Sequence, residues 1–261
     1  MRLQRYRHKL TTGIKVYGQY YLQRQTPVII YSTGRVGSMA LHHSLDAAGV
    51  LVFQVHILNP DEIAAKNPPG TTKWAYKHII SKQRPAKIIS IVRDPLALMV
   101  SDFFPKLKWI ADDPEAYKHH AVDELCEMFN TRYFEQGRHH EKLNWFEDHF
   151  ESDLGIDVYA HPFSKEGGYT RFEHSPYDVL IFKLELDDAT KSQLVAAFVG
   201  LDAFNIMRYN IGETKDYGAV YKQFKQQLRV RDEHLDAIYT SRYVRHFFTS
   251  DEIAALRARW C

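Results

Sequence analysis

Arg35 and Ser38, in the run Ser32-Thr33-Gly34-Arg35-Val36-Gly37-Ser38-Met39, and Arg93 and Ser101, eight residues apart, are side chains of the types that hold anions. A guanidinium is permanently charged and offers a planar fork of donors that fits phosphate or sulfuryl oxygens, and a hydroxyl adds one further bond. The first run lies between the apolar stretch Val28-Ile-Ile-Tyr31 and Ala40-Leu-His-His-Ser-Leu45, an order that reads as strand, turn, helix. The first amides of a helix lack intrahelical partners and sit at the positive end of its dipole, so such a turn binds an anion through backbone alone. Gly34 and Gly37 allow the chain to bend toward it. A nucleoside-triphosphate P-loop needs four residues between its glycines and then Lys and Ser or Thr; here two separate them and no Lys follows.

Around Arg93 the pattern is similar. Lys87-Ile-Ile-Ser-Ile-Val92 reads as a buried parallel strand, and Asp94-Pro95 marks a helix start: Asp caps the open amides and Pro fits the first helical position. Arg93 therefore falls at a strand's carboxyl end, with Ser101 about two turns into the following helix. Open α/β sheets bind ligands outside the carboxyl ends of their strands, so Arg35 and Arg93 are expected to converge on one crevice.

In these two segments the chain resembles the sulfotransferases that use 3′-phosphoadenosine 5′-phosphosulfate (PAPS). The resemblance implies that Ser32, Thr33, Gly34, Arg35, Val36, Gly37, Ser38 and Met39 form the 5′-phosphosulfate loop. Arg35 then takes the place usually held by Lys or Arg, and Arg93 and Ser101 hold the 3′-phosphate. Val36 and Met39 depart from the small polar residues more usual there, which shifts the burden to backbone amides and Ser38. The implied reaction carries a sulfuryl group to an acceptor hydroxyl or amine, leaves 3′,5′-adenosine bisphosphate, needs no metal and gives Arg35 a part in the transfer. In the same family a late basic loop folds over the nucleotide, which makes Lys215, within Asn210-Ile-Gly-Glu-Thr-Lys-Asp-Tyr217, a candidate nucleotide contact.

Two histidines compete for the general base. Val50-Leu-Val-Phe-Gln-Val-His-Ile-Leu58 reads as a strand ended by Asn59-Pro60, which puts His56 near its carboxyl end, on the rim expected for Arg35 and Arg93. An imidazole with an ordinary pKa near 6.5 accepts a proton at neutral pH. Heparan sulfate uronosyl sulfotransferases, which this region is similar to, carry a catalytic His in such a segment. His78, in Trp74-Ala-Tyr-Lys-His-Ile-Ile80, answers to the Lys-x-His of cytosolic sulfotransferases, although Lys77 and His78 are adjacent. The pattern favours His56 and leaves His78 open, and for either the alternative is a core histidine bonded to backbone.

Behind these residues the chain reads as an α/β protein: a P-loop-like open parallel sheet flanked by helices, with a helical carboxyl-terminal portion. A basic leader or helix over 1–26 is expected to precede one domain over 27–261. Tyr177-Asp-Val-Leu-Ile-Phe-Lys-Leu184 is a further strand, followed by Glu185 at an acidic turn and a helix near Lys191–Val199, and the tail Leu235–Trp260 reads as two helices. The charged, aromatic-rich stretch Trp109–Phe150 is expected to be mostly core. The pairs His119-His120 and His139-His140 read as solvated faces, since neighbours on a helix point apart.

With 34 Lys and Arg against 32 Asp and Glu, the formal charge of +2 gives no generic attraction to nucleic acid. Cys126 and Cys261 make no disulfide framework, and the basic Met1–Leu10 lacks the apolar core of a secretory signal, so a cytoplasmic setting is expected. No apolar run is long enough to span a bilayer, and peripheral membrane contact through the leader is the less favoured reading. The tail also resembles bacterial sulfotransferases labelled capsular-polysaccharide synthesis proteins, which favours a glycan acceptor over a small natural product. The alternatives are a P-loop-like kinase and a catalytically silent nucleotide- or glycan-binding protein.

Overall fold

The computed structural model describes residues 13–207 and 215–261, so Met1–Leu10 and the residues from Asn210 to Thr214 lie outside it. Five strands form one sheet in the order β2-β1-β3-β5-β4, with β1 Val28–Tyr31, β2 Val52–Val55, β3 Ala86–Val92, β4 Tyr169–His174 and β5 Tyr177–Lys183. Pairs β1–β2, β1–β3 and β3–β5 are parallel, and β4 runs antiparallel along β5. The fold is α/β, and the expected parallel sheet carries one antiparallel edge strand. That strand, Tyr-Thr-Arg-Phe-Glu-His, has no apolar run to announce it, because no residue in it is fully buried.

The inner strands are apolar throughout because both faces of the sheet are covered. Successive side chains of β1 divide between them: Ile29 and Tyr31 join the larger core, with Phe53 and the aromatic residues of 103–150, while Val28 and Ile30 join the smaller one, with Leu41, Leu45 and Phe198. Helix α1, Ser38–Ala47, follows β1, α2, Gly70–His78, precedes β3, and α3, Pro95–Phe103, follows β3. The aromatic stretch is a chain of short helical pieces, including π-helical turns at Phe129–Tyr133 and Phe146–Glu151 and a single turn α4, His140–Leu143. Phe129, Tyr133, Trp145 and Phe146 are buried there.

Helix α5, Asp188–Val199, follows β5, with Asp187 accepting the Thr190 amide as its cap. After α6, Gly218–Gln227, the tail holds three helices rather than the two expected: α7 Asp232–Tyr239, α8 Arg242–Phe247 and α9 Ser250–Ala258. Ser241 and Thr249 divide it, since each turns its hydroxyl to accept an amide of a new first turn, from Val244 and Glu252.

Candidate functional site

From β1 the chain crosses to β2 on one side and returns to β3 on the other, so the connections after β1 and β3 leave the sheet in opposite directions and open a crevice between them. Residues 32–37 occupy one side of it. Gly37 has φ 76° and Arg35 φ 71°, left-handed conformations that turn the chain sharply into α1. The amides of Gly37, Ser38 and Met39 donate to no protein group among the described residues, and the Ser32 hydroxyl is buried with no hydrogen-bond partner there. Open amides at a helix start and an orphaned hydroxyl at its base fit an anionic group. Val36 is fully buried in the smaller core, so it anchors the loop and could offer a ligand only its backbone. Ser38 is buried too, its hydroxyl 3.4 Å from the Gln54 amide nitrogen. Thr33, Gly34 and Met39 are partly exposed.

Arg93 lies across the crevice, where its Nη1 donates to the Arg35 carbonyl at 2.7 Å. The next residue, Asp94, caps α3 by accepting the amides of Leu96 and Ala97 and is almost wholly buried. Its oxygens also accept from the Tyr239 hydroxyl at 3.1 Å and the Trp260 indole N–H at 3.4 Å. The Tyr243 hydroxyl receives the Arg93 amide at 3.0 Å and donates to the Arg93 carbonyl at 2.9 Å. Three tail residues thus fasten this corner, a role that no spacing in the sequence announces. Glu185, after β5, accepts the Asp94 amide at 2.8 Å. Its surroundings raise its pKa, through desolvation first, against the pull of that amide and of Arg93.

His56 stands just past β2. Its Nδ1 is 2.7 Å from the Ser32 carbonyl and its Nε2 2.7 Å from the Gln54 amide nitrogen. A carbonyl only accepts, so Nδ1 carries the proton and Nε2 keeps its lone pair, which the Gln54 amide satisfies. The ring is open to solvent and yet crowded by protein, the setting of a cleft wall. Desolvation lowers its pKa, the Ser32 carbonyl opposes that, and the nearby charges of Lys142 and Arg35 lower it further. The imidazole is therefore neutral at pH 7. His78 is placed elsewhere: it ends α2, ahead of the amino end of β3, with Nδ1 3.1 Å from the Tyr21 hydroxyl and its ring stacked on Trp74. The structure brings Arg35, His56 and Arg93 together and leaves His78 toward the opposite rim.

Sequence reasoning did not single out Asp102, buried on α3. Arg35 Nε lies 3.7 Å from its Oδ1, and Lys106 and Lys142 reach its Oδ2 at 3.1 and 3.0 Å. Lys142 and Lys106 hold its pKa below the usual carboxylate range despite burial. Ser101, one residue earlier, is half-buried on α3. Lys215 is exposed two residues before Tyr217, whose hydroxyl feels the Arg35 charge and whose ring stacks on Phe104, so that segment also reaches the crevice. Beside Gly37 an apolar slot of about 190 Å3 lies between Val36, Leu41, Leu184, Ile206 and Met207. Among the described residues no cluster of three His, Cys, Asp or Glu is arranged for a metal, and no helix is long and apolar enough to cross a membrane.

Residues 120–249 match the family described as "Putative capsular polysaccharide synthesis protein". The matched stretch includes α4, β4, β5 and the tail through Thr249, and it begins after the loop of residues 32–39 and Arg93. No curated protein matches the chain, and no solved structure does.

Proposed function

We propose that this protein is a sulfotransferase that moves a sulfuryl group from PAPS to a hydroxyl of a glycan. The observation that carries the reading is the contact of Arg93 Nη1 with the Arg35 carbonyl at 2.7 Å. It joins two anion-binding elements, distant in sequence, at the switch point of one sheet, as a nucleotide phosphorylated at both ends requires. The family description of residues 120–249 supports a glycan-related role, and the resemblance of the two motifs supports PAPS as donor.

Each residue then has a task. The amides of Gly37–Met39, with Ser32 and Ser38, hold the 5′-phosphosulfate, and Arg93 with Ser101 holds the 3′-phosphate, with Lys215 above it. The Gln54 amide yields its place on His56 Nε2 to the acceptor hydroxyl. The acceptor oxygen bonds to sulfur as the bond from sulfur to the 5′-phosphate oxygen breaks; the electron pair stays on that phosphate and the proton passes to Nε2. Arg35 faces the charge that grows on the leaving oxygen, and donors aimed in advance at such charge are each worth roughly 10²- to 10³-fold in rate.

The test is to measure binding of 3′,5′-adenosine bisphosphate and of ATP by calorimetry, then transfer of labelled sulfate from PAPS to a panel of polysaccharides. Preference for the bisphosphate, lost in Arg93→Ala, is expected. Equal affinity for the two nucleotides sinks the 3′-phosphate assignment, and ATP consumption would turn the reading toward a kinase.

A further inference from the structure

Lys142 belongs to a segment that packs against the end of β1. Trp145 and Phe150 lie against Tyr31, ring centroids 5.1 and 5.7 Å away, and Tyr31 directly precedes Ser32. Trp145 is one turn beyond Lys142, so this aromatic contact fixes where the lysine stands relative to the loop. The Lys142 side chain is only 9% exposed, and Asp102 is its one hydrogen-bonding or ion-pair partner among the described residues. An ammonium has three donors, so two face no protein acceptor among the described residues.

The charges around it do not balance. Arg35, Lys106 and Lys142 converge on Asp102, and the neighbouring Glu141 is shared by Lys106 and Arg138. Four cations meet two carboxylates. Desolvation depresses the Lys142 pKa and Asp102 partly restores it. Lys142 and Asp102 are buried and Arg35, Lys106 and Arg138 only partly so, and the positive excess of this half-covered cluster favours an anion that joins it from the crevice. Lys142 is also close enough to His56 to depress the imidazole's pKa, and it shares Asp102 with Arg35. Its ammonium thus lies near both the loop arginine and His56.

We infer that Lys142 is a sulfuryl-binding residue, held by Asp102 for the group in transit and not for the nucleotide itself. The inference rests on the sulfotransferase reading. Lys106 is spent on Asp102 and Glu141, whereas the free donors of Lys142 suit sulfuryl oxygens, which are present in PAPS and missing from 3′,5′-adenosine bisphosphate.

The experiment is calorimetric titration of both nucleotides into the wild-type chain, Lys142→Gln, Lys142→Arg and Asp102→Asn. Lys142→Gln should weaken PAPS about tenfold or more, as for a lost bond to a charged group, and leave the bisphosphate within about twofold. Lys142→Arg should restore most of the loss. Asp102→Asn, which removes the competing carboxylate, should shift the preference the other way, toward PAPS. Equal losses for both nucleotides in Lys142→Gln, or no shift in Asp102→Asn should the first variant fail to fold, overturn the inference while the sulfotransferase reading stands. A wild-type chain that binds neither nucleotide overturns both.

Discussion

The two sides of the crevice are built by opposite means. The loop of residues 32–39 is held from beneath by Val36 in the core and from the side by single contacts to backbone, His56 on the Ser32 carbonyl and Arg93 on the Arg35 carbonyl. The amides of Gly37, Ser38 and Met39 stay open among the described residues. The Arg93-Asp94 corner has hardly a polar atom left over, because Tyr239, Tyr243, Trp260 and Glu185 occupy the Arg93 backbone, the Asp94 amide and the Asp94 carboxylate. An element that must accept a ligand keeps unsatisfied donors, and an element that must present one side chain at a fixed place has its backbone fully bonded. Changes at the loop should therefore reach activity before stability, and changes at the corner the reverse.

The sharpest separation is expected at His56, on the loop side. His56→Ala should lower kcat by about 10²- to 10⁴-fold, the usual worth of a positioned base, and leave affinity for 3′,5′-adenosine bisphosphate nearly unchanged. In the proposed mechanism His56 acts in its neutral form, so the wild-type rate should fall as acid protonates Nε2. Because desolvation, Lys142 and Arg35 depress that pKa, the fall should begin below the ordinary histidine value of 6.5. A pH–rate profile checks this. Full activity in His56→Ala would return the role to His78 or another group.

At the corner, Asp94→Ala should cost about 3 kcal/mol in urea unfolding, since it removes the cap of α3 and leaves the Tyr239 and Trp260 donors without their partner. Tyr243→Phe is the milder version. It keeps the ring in the core and strips only the hydroxyl that bridges the Arg93 amide and carbonyl, for about 1–2 kcal/mol. If either variant unfolds like the wild-type chain and merely loses nucleotide, the tail does not brace the corner and the contrast fails.

How far the sequence could be read follows the same division. Strand, turn and helix were visible around Arg35 and Arg93 because their signals are local: apolar runs, glycines, and an Asp-Pro helix start. The cap by Asp94 and the position of His56 past β2 follow from neighbours in sequence and were legible. The grip of Tyr239, Tyr243 and Trp260 on Asp94 and Arg93 spans some 150 residues, and nothing in the spacing of three buried aromatics separates it from ordinary core. Asp102 and Lys142 were hidden for the same reason: a charged residue within a helix reads as a solvated face until packing turns it inward. The tail forms three helices because Ser241 and Thr249 act as caps, each a residue type that favours a new helix start. Val36 is the converse case, a loop residue placed by position whose side chain belongs to the core and which leaves its backbone alone to face a ligand.

The smallest effect tests the loop's side of the contrast most directly. Gly37 is left-handed at φ 76°, and a Cβ there would lie 3.3 Å from Leu184 Cδ1, the end of a side chain that can give by a few tenths of an ångström. Gly37→Ala should therefore cost only about 1–2 kcal/mol, the price of an L-residue in that conformation. The same methyl sits where the chain turns its open amides into α1, so a strained loop re-aims the donors that face the ligand. Affinity for 3′,5′-adenosine bisphosphate should fall by more than the change in unfolding free energy alone would suggest, because the folded population is barely altered while the cradle is. Urea unfolding and calorimetry on the same preparation separate the two. A variant that loses several kcal/mol of stability, or binds the nucleotide as the wild-type chain does, would show that the loop is held as tightly as the corner and that its open amides are not the ligand's contacts.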